Sequence, residues 1–151
     1  MASAQFSHTA TSAASSLDAA WAGLQDPATW ATIAGISEVT NPQFDEAGNL
    51  TGYLFTAVVA GKDYAGKGEV RLSSRPTDMV VYISTSEIAG HIKASLAPNA
   101  GGVRVTVGLD LQTRGLLSGM MFPLITGAIR SGLPDQVEQF ATHLTLARPE
   151  V

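Results

Sequence analysis

A sustained alternation of apolar and polar residues in the middle of the chain constrains the fold more than any other feature. In VRVTVGLDLQT, residues 103–113, valine and leucine occupy every second position, and mostly polar residues lie between them. This period of two predicts a β-strand with one buried and one solvated face. Five further strand-like stretches precede it from about residue 36, separated by turn segments such as DEAGN, RPT and PNAGG. Consecutive strands joined by short turns indicate an antiparallel meander.

The residues before this region combine one more strand with two helices. Residues 4–12 are rich in Thr and Ser and predict a first strand. The stretch SSLDAAWAGLQD has apolar residues at helical spacing, and we expect Ser15 to cap this helix. Asp26 followed by Pro27 predicts the cap and first residue of a short second helix, over about residues 27–34.

The last element is a helix predicted over about residues 115–145. Pro134 predicts a kink or short break in it, because proline cannot donate the helical hydrogen bond. Residues 115–129 carry no charge, but as a helix they would span ~22 Å at 1.5 Å per residue. A bilayer core needs ~30 Å, so we predict that this segment is not a transmembrane helix.

Together these segments predict one α+β domain over residues 1–151. Its parts are a curved antiparallel sheet of about seven strands, two short helices and a long C-terminal helix. Only the last helix is long enough to cover the apolar face of the sheet, so we expect it to lie across the concave side.

Composition excludes several classes of function. The net charge is −4 and the nine basic residues are scattered, which argues against a nucleic-acid partner or electrostatic capture by an anionic membrane. Without cysteine there is no disulfide, thiolate nucleophile or cysteine-ligated metal. The three histidines lack metal-ligand spacing, and no acid–base pair or phosphate loop stands out, so we expect no metal, no other cofactor and no catalytic residue. The N-terminal segment has no basic flank or long apolar run, so we expect a cytoplasmic protein.

One segment near the N-terminus resembles a known superfamily. Residues 24–27, LQDP, followed by Trp30 and by Ala34-Gly35, resemble the LxDPxxW…G segment of the START-like, helix-grip superfamily, also called SRPBCC. That superfamily includes polyketide cyclase/dehydrase-like proteins, and the resemblance extends over about residues 5–145. It implies a helix-grip fold with a deep apolar cavity between the sheet and the last helix.

Two further segments resemble one branch of that superfamily. Tyr64-Ala65-Gly66, followed by EVRL at 69–72, is similar to the Y-x-G-x-x-x-V-x-L strand of the carbon monoxide dehydrogenase G branch. Residues 115–117, GLL, at the start of the last helix also look like this branch.

The resemblance implies a set of residues that line the cavity. Members of the superfamily bind lipids, sterols, polyketides, quinones or hormones, and a minority are enzymes. The residues expected to line the cavity are aromatic or apolar, as in most small-molecule sites: Trp30, Tyr53, Phe55, Met79, Val81, Ile83, Ile92, Leu96, Leu109, Met120, Met121, Leu124 and Ile125. The candidates for contact with a ligand head group are His8, Tyr82 and Arg114; for Arg114 the alternative is snorkelling from an apolar surface.

Three functions remain open at this point. The first is binding or carriage of a hydrophobic small molecule of the lipid, quinone or polyketide type. The second is an enzyme of the polyketide aromatase/cyclase type, which needs a titratable side chain in the cavity. The third is an accessory subunit that docks on an oxidoreductase or makes peripheral contact with a membrane, which needs an exposed apolar patch.

Overall fold

A computed structural model describes residues 3–33, 36–59, 61–113 and 121–146. The elements follow one another as strand β1 (Ser3–Ser12), helices α1 (Leu17–Leu24) and α2 (Pro27–Trp30), strands β2 (Ile36–Phe44), β3 (Leu50–Val59), β4 (Lys62–Ser74), β5 (Asp78–Thr85), β6 (Ile88–Asn99) and β7 (Gly102–Thr113), and helix α3 (Met121–Leu146). This order confirms the predicted α+β helix-grip architecture.

The seven strands form one antiparallel curved sheet in the order β1-β7-β6-β5-β4-β3-β2. Strands β2 to β7 are consecutive neighbours, as the turn-separated pattern predicted. Strand β1, the first in the chain, pairs with the last strand, β7, with Ala10 opposite Val105. β1 and β2 are therefore the two edges of the sheet, and α1 and α2 connect them.

The concave face of the sheet carries the apolar half of each alternating pattern. In β7 the alternate residues from Val103 to Leu111 are at most 3% exposed. Met79, Val81 and Ile83 of β5 are buried in the same way. The sequence left the buried face of β1 open, and the structure shows that its even-numbered residues are the more buried ones.

The two short helices begin at capped residues. The Oγ of Ser16 accepts a hydrogen bond from the N–H of Ala19 at 3.1 Å, so the cap of α1 is Ser16 and not Ser15. Asp26 caps α2 as predicted, since its Oδ1 accepts from the N–H of Ala28 at 3.0 Å. The helix that follows is shorter than expected and ends at Trp30.

Helix α3 covers the concave side but does not lie evenly over it. It packs most extensively on β1, then on α1, and makes few contacts with β7 and β3. The helix continues through Pro134 without the predicted break. Leu133 and Val137 on either side of Pro134 are buried, and their packing holds the helix together where one hydrogen bond is lost. None of the helices described here is long and apolar enough to cross a membrane.

Candidate functional site: an apolar chamber under the last helix

A small apolar cavity of about 40 Å³ lies between one end of the sheet and the first half of α3. We call it the chamber. It lies where β3, β5 and β7 end and where β2, β4 and β6 begin. The described residues that line it are Ile36, Phe55, Ala57, Tyr64, Ile83, Ser84, Thr85, Ile88, Leu111, Ile125 and Ile129.

Two glycines of β4 allow aromatic rings of β3 to pack closely against the sheet beside the chamber. Gly66 and Gly68 lie opposite Phe55 and Tyr53 of the neighbouring strand. A Cβ atom on Gly68 would lie 2.7 Å from Cζ of Tyr53, and a Cβ on Gly66 would overlap the ring of Phe55. Because β4 lacks side chains at these two positions, the aromatic rings of β3 can lie directly against it. This close approach accounts for the Y-x-G-x-G pattern that begins at Tyr64.

Most polar groups of the chamber wall are already engaged. The Oγ1 of Thr85 accepts from the N–H groups of Glu87 and Ile88 at 3.2 and 3.0 Å and lies 3.2 Å from the Ile88 carbonyl oxygen. Ser84 alternates with the inward-facing Ile83, so its side chain belongs to the other face of the sheet. The hydroxyl of Tyr64 differs, since it is buried and has no hydrogen-bond partner among the described residues.

The surroundings of Tyr64 keep its side chain neutral. Burial raises the pKa of the Tyr64 hydroxyl, and the nearby carboxylate of Glu87 raises it further. Lys62 acts in the opposite direction, since its ammonium group lies 5.3 Å from the centre of the Tyr64 ring. Lys62 is also paired with Glu87, whose carboxylate oxygens are both 3.3 Å from Nζ.

Tyr53 is a second buried tyrosine on the concave face. Its side chain is 3% exposed, and its hydroxyl also lacks a partner within the described parts of the chain. Burial raises the pKa of this hydroxyl well above its usual range. Tyr53 packs edge-on against Phe55, with ring centres 6.3 Å apart, but does not itself line the chamber.

The structure distributes the residues expected to line the cavity over several places. Three of them, Phe55, Ile83 and Ile125, line the chamber. Seven are buried in the core on the concave side without lining it: Trp30, Tyr53, Met79, Val81, Ile92, Leu96 and Leu109. Leu124 corrects the prediction, because it lies on the outward side of α3 and is 59% exposed. Met120 lies outside the described residues, as does the side chain of Met121, the first residue of α3.

The three candidates for head-group contact do not meet at the chamber. Tyr82 corrects the prediction, because strand alternation places it on the convex face, where it packs 5.3 Å from the His91 ring and under the guanidinium of Arg71 at 4.6 Å. His8 is half-buried on the inward side of β1, opposite Val107, and does not line the chamber. Arg114 lies outside the described residues.

Several lining residues were not predicted from the sequence. They lie at strand ends or on the last helix: Ile36, Ala57, Ile88, Leu111 and Ile129. Tyr64 begins the segment that resembles the carbon monoxide dehydrogenase G branch. Its position at the chamber depends on the register of β4 against its neighbouring strands. Ile129 follows Ile125 by four residues, the spacing that brings two side chains to one face of a helix.

The described residues do not form a metal site. No group of three or more His, Asp or Glu side chains in these parts of the chain is arranged to hold a metal ion. His143 of α3 instead lies near the N-cap of α2, with its Nε2 3.1 Å from Oδ2 of Asp26.

Comparison of the whole fold with solved structures gives clear matches. A START superfamily protein from Mycobacterium smegmatis superposes with a TM-score of 0.68 at 15% identity, covering 89% of this chain and 94% of that one. The Zhui aromatase/cyclase from Streptomyces sp. R1128 matches with a TM-score of 0.60 at 17% identity, covering 96% and 90% of the two chains. The di-domain ARO/CYC BexL from the BE-7585A biosynthetic pathway matches with a TM-score of 0.67 at 14% identity, over 97% of this chain and 51% of that one.

Sequence comparisons add no closer relative. No protein-family model matches the chain, and no curated protein matches it. The structural matches nevertheless show that the chain has the START-like, SRPBCC-type fold that its sequence resembles. The similarity to the carbon monoxide dehydrogenase G branch stays a prediction.

Proposed function

We propose that this protein binds or carries a hydrophobic small molecule in the chamber between the sheet and α3. The observation that carries the proposal is the apolar space that the described residues leave open, bounded by Phe55, Tyr64, Ile83, Ile125 and Ile129. Protein cores are normally packed without such gaps, and ligand sites are concave and mainly apolar with few polar groups. The START-like fold is consistent with this use.

The size of the chamber defines what binding requires. Its volume is about 40 Å³, whereas sites for small organic ligands typically hold ~300–1,000 Å³. A ligand of that size therefore requires the first half of α3 to move away from the ends of β3 and β5. Such a movement would break the few contacts of α3 with β3 and β7 and also contacts of its first half with β1, such as that of Arg130 over the Phe6 ring.

The described lining favours binding over catalysis. It includes apolar side chains, one tyrosine and the hydroxyl residues Ser84 and Thr85, but no Asp, Glu, His, Lys or Arg among the described residues. General acid–base chemistry needs a group that exchanges a proton near neutral pH, and the raised pKa of Tyr64 does not meet that need. The alternative is a polyketide aromatase/cyclase; among the structural matches, Zhui is an aromatase/cyclase and BexL a di-domain ARO/CYC.

The proposal can be tested with the uncharged fluorescent probe N-phenyl-1-naphthylamine and by extraction of the purified protein with organic solvent. We expect an apolar molecule in the extract, and probe fluorescence that this molecule suppresses by competition. Ala57→Leu, which fills the chamber, should weaken probe binding. Leu124→Ala, on the outward side of the same helix, should leave it unchanged.

Two results would contradict the proposal. The first is that Ala57→Leu, shown by circular dichroism to be folded, binds the probe as strongly as the wild type. The other is loss of binding in Leu124→Ala alone, which would place the apolar site on the outer surface of α3. Turnover of a linear polyketide substrate by the wild type would favour the aromatase/cyclase alternative.

A further inference from the structure

We propose that the hydroxyl of Tyr64 donates a hydrogen bond to the ligand, and that the ligand is an uncharged apolar molecule with a carbonyl-type oxygen. This inference rests on the proposed function, because it concerns the same chamber. It adds the residue that recognises the ligand and the chemical class that fits.

Tyr64 is the side chain of the described chamber wall whose buried hydroxyl has no partner at hydrogen-bond distance. It is 5% exposed, and its hydroxyl oxygen has no such partner among the described residues, although the Glu87 carboxylate is close enough to compete for its proton. Thr85, by contrast, uses its hydroxyl within the β5–β6 turn. A buried polar group without a partner is unfavourable and rare in native proteins. A ligand oxygen in the chamber would supply the missing partner.

The direction of the hydrogen bond depends on whether Tyr64 carries its proton. A neutral tyrosine donates one O–H, whereas an ionised one can only accept. Burial and the Glu87 carboxylate both raise the pKa of Tyr64, so its hydroxyl keeps its proton at neutral pH. Tyr64 is therefore a donor in the chamber, and an acceptor on the ligand is its complement.

The charge of the ligand depends on the charged groups around the chamber. No Lys, Arg or His stands in the described lining to neutralise an anion. The ammonium group of Lys62 is already paired with Glu87, at 3.3 Å from both carboxylate oxygens. The negative charge of Glu87 is near enough to act on the Tyr64 hydroxyl and would repel a carboxylate bound there. These charges favour a ketone, quinone or ester oxygen over the head group of a fatty acid.

Three naphthalene derivatives of nearly equal size test this assignment. 2-Acetonaphthone carries a neutral carbonyl, 2-ethylnaphthalene replaces it with a hydrocarbon, and 2-naphthoate replaces it with a carboxylate. We expect the wild type to bind 2-acetonaphthone about tenfold more tightly than 2-ethylnaphthalene, the effect of one net hydrogen bond. 2-Naphthoate should bind most weakly of the three.

The matched variants are Tyr64→Phe and Tyr53→Phe, which each remove one buried and unpartnered hydroxyl. Tyr64→Phe should abolish the preference for the ketone while its affinity for 2-ethylnaphthalene is unchanged. Tyr53→Phe should keep the preference, because Tyr53 does not line the chamber. Infrared spectroscopy gives a second measurement that needs no variant. The carbonyl stretching frequency of 2-acetonaphthone should be lower when bound to the wild type than in an apolar solvent.

The outcomes separate the two proposals. If none of the three compounds binds, the proposed function fails. If 2-acetonaphthone and 2-ethylnaphthalene bind equally, or if Tyr64→Phe keeps the tenfold preference, the function stands and the role of Tyr64 is overturned. Tightest binding of 2-naphthoate would overturn the assignment of an uncharged ligand.

Discussion

The two halves of α3 bury their apolar faces in different ways. The second half, from Leu133 to Leu144, packs against the short helices, and the ring of Phe140 meets Trp30 edge-on with centres 5.4 Å apart. The first half places Ile125 and Ile129 over the chamber. We call the surroundings of Phe140 and Trp30 the packed half of the core.

The two regions also differ in how their buried polar groups are hydrogen-bonded. In the packed half, Nε1 of Trp30 donates to the Leu24 carbonyl at 2.9 Å, and the Thr29 hydroxyl donates to the Gly23 carbonyl at 2.6 Å. At the chamber, the Tyr64 hydroxyl has no partner among the described residues. Nε1 of Trp21 in α1 is also without one there, so unpartnered atoms are not confined to the chamber. At the chamber, an open apolar space and the buried hydroxyl of Tyr64 occur side by side among the described residues, and this combination makes the chamber the candidate ligand site.

The largest expected difference between the two regions comes from truncating α3. Phe140→Ala should lower the free energy of unfolding by ~3–5 kcal/mol, because the ring is fully buried and its neighbours cannot close the gap. Ile129→Ala, at the chamber, should cost about 2 kcal/mol, at the low end for its type, since Ile129 already borders empty space. Urea unfolding of both variants measures the difference. Equal losses would mean that the two halves of α3 are packed alike.

Enlarging a buried side chain should destabilise the well-packed core but not the chamber. Ala94 and Ala57 are both buried strand residues on the concave side, but only Ala57 lines the chamber. Ala94→Val should destabilise the protein by ~1–3 kcal/mol through overpacking. Ala57→Val should be neutral or stabilise it by up to ~1 kcal/mol, because the added methyl groups occupy free volume. A comparable loss in both variants, measured by thermal unfolding, would argue that the chamber is closed in solution.

Removing a hydroxyl tests the difference in hydrogen bonding. Thr29→Val should cost ~1 kcal/mol, because it removes the 2.6 Å hydrogen bond from the Thr29 hydroxyl and leaves the Gly23 carbonyl with the Asp26 N–H as its donor. Tyr53→Phe should cost nothing or stabilise the protein by up to ~1 kcal/mol, since it removes a buried hydroxyl that has no described partner. Urea unfolding provides the measurement. A clear loss in Tyr53→Phe would show that its hydroxyl is bonded in solution.

The fold was predictable from the sequence because its signals are local. The alternation in VRVTVGLDLQT predicts which residues of β7 are buried. Asp26-Pro27 predicts the start of α2, because Asp26 is its N-cap and Pro27 its first residue. Of the kink or short break expected at Pro134, the break is wrong, since the helix runs continuously from Met121 to Leu146 and packing on either side of Pro134 outweighs one missing hydrogen bond; the kink stays a prediction. Ser16 rather than Ser15 caps α1, a difference of one residue that pattern alone does not resolve.

The site was less predictable because it depends on register between distant strands. Apolar residues such as Met79 and Ile92 belong to the concave face as expected, but which of them borders empty space is decided by where α3 crosses. Tyr82 was placed at the cavity although its neighbours Val81 and Ile83 already occupy the inward positions of β5. Strand alternation alone would have moved it to the convex face.

The smallest expected effect concerns alkaline pH and the buried Tyr53. The ordinary tyrosine pKa is 10.0, and burial raises that of Tyr53 in the folded protein. Its contribution to stability is therefore fully present below pH 10 and is lost as the pH rises towards the folded-state pKa, because only the unfolded chain ionises readily. Between pH 9 and 11 the free energy of unfolding should fall by ~1 kcal/mol more in the wild type than in Tyr53→Phe. If Tyr53→Phe and the wild type lose stability in parallel over this range, the hydroxyl of Tyr53 is accessible to water in the folded protein.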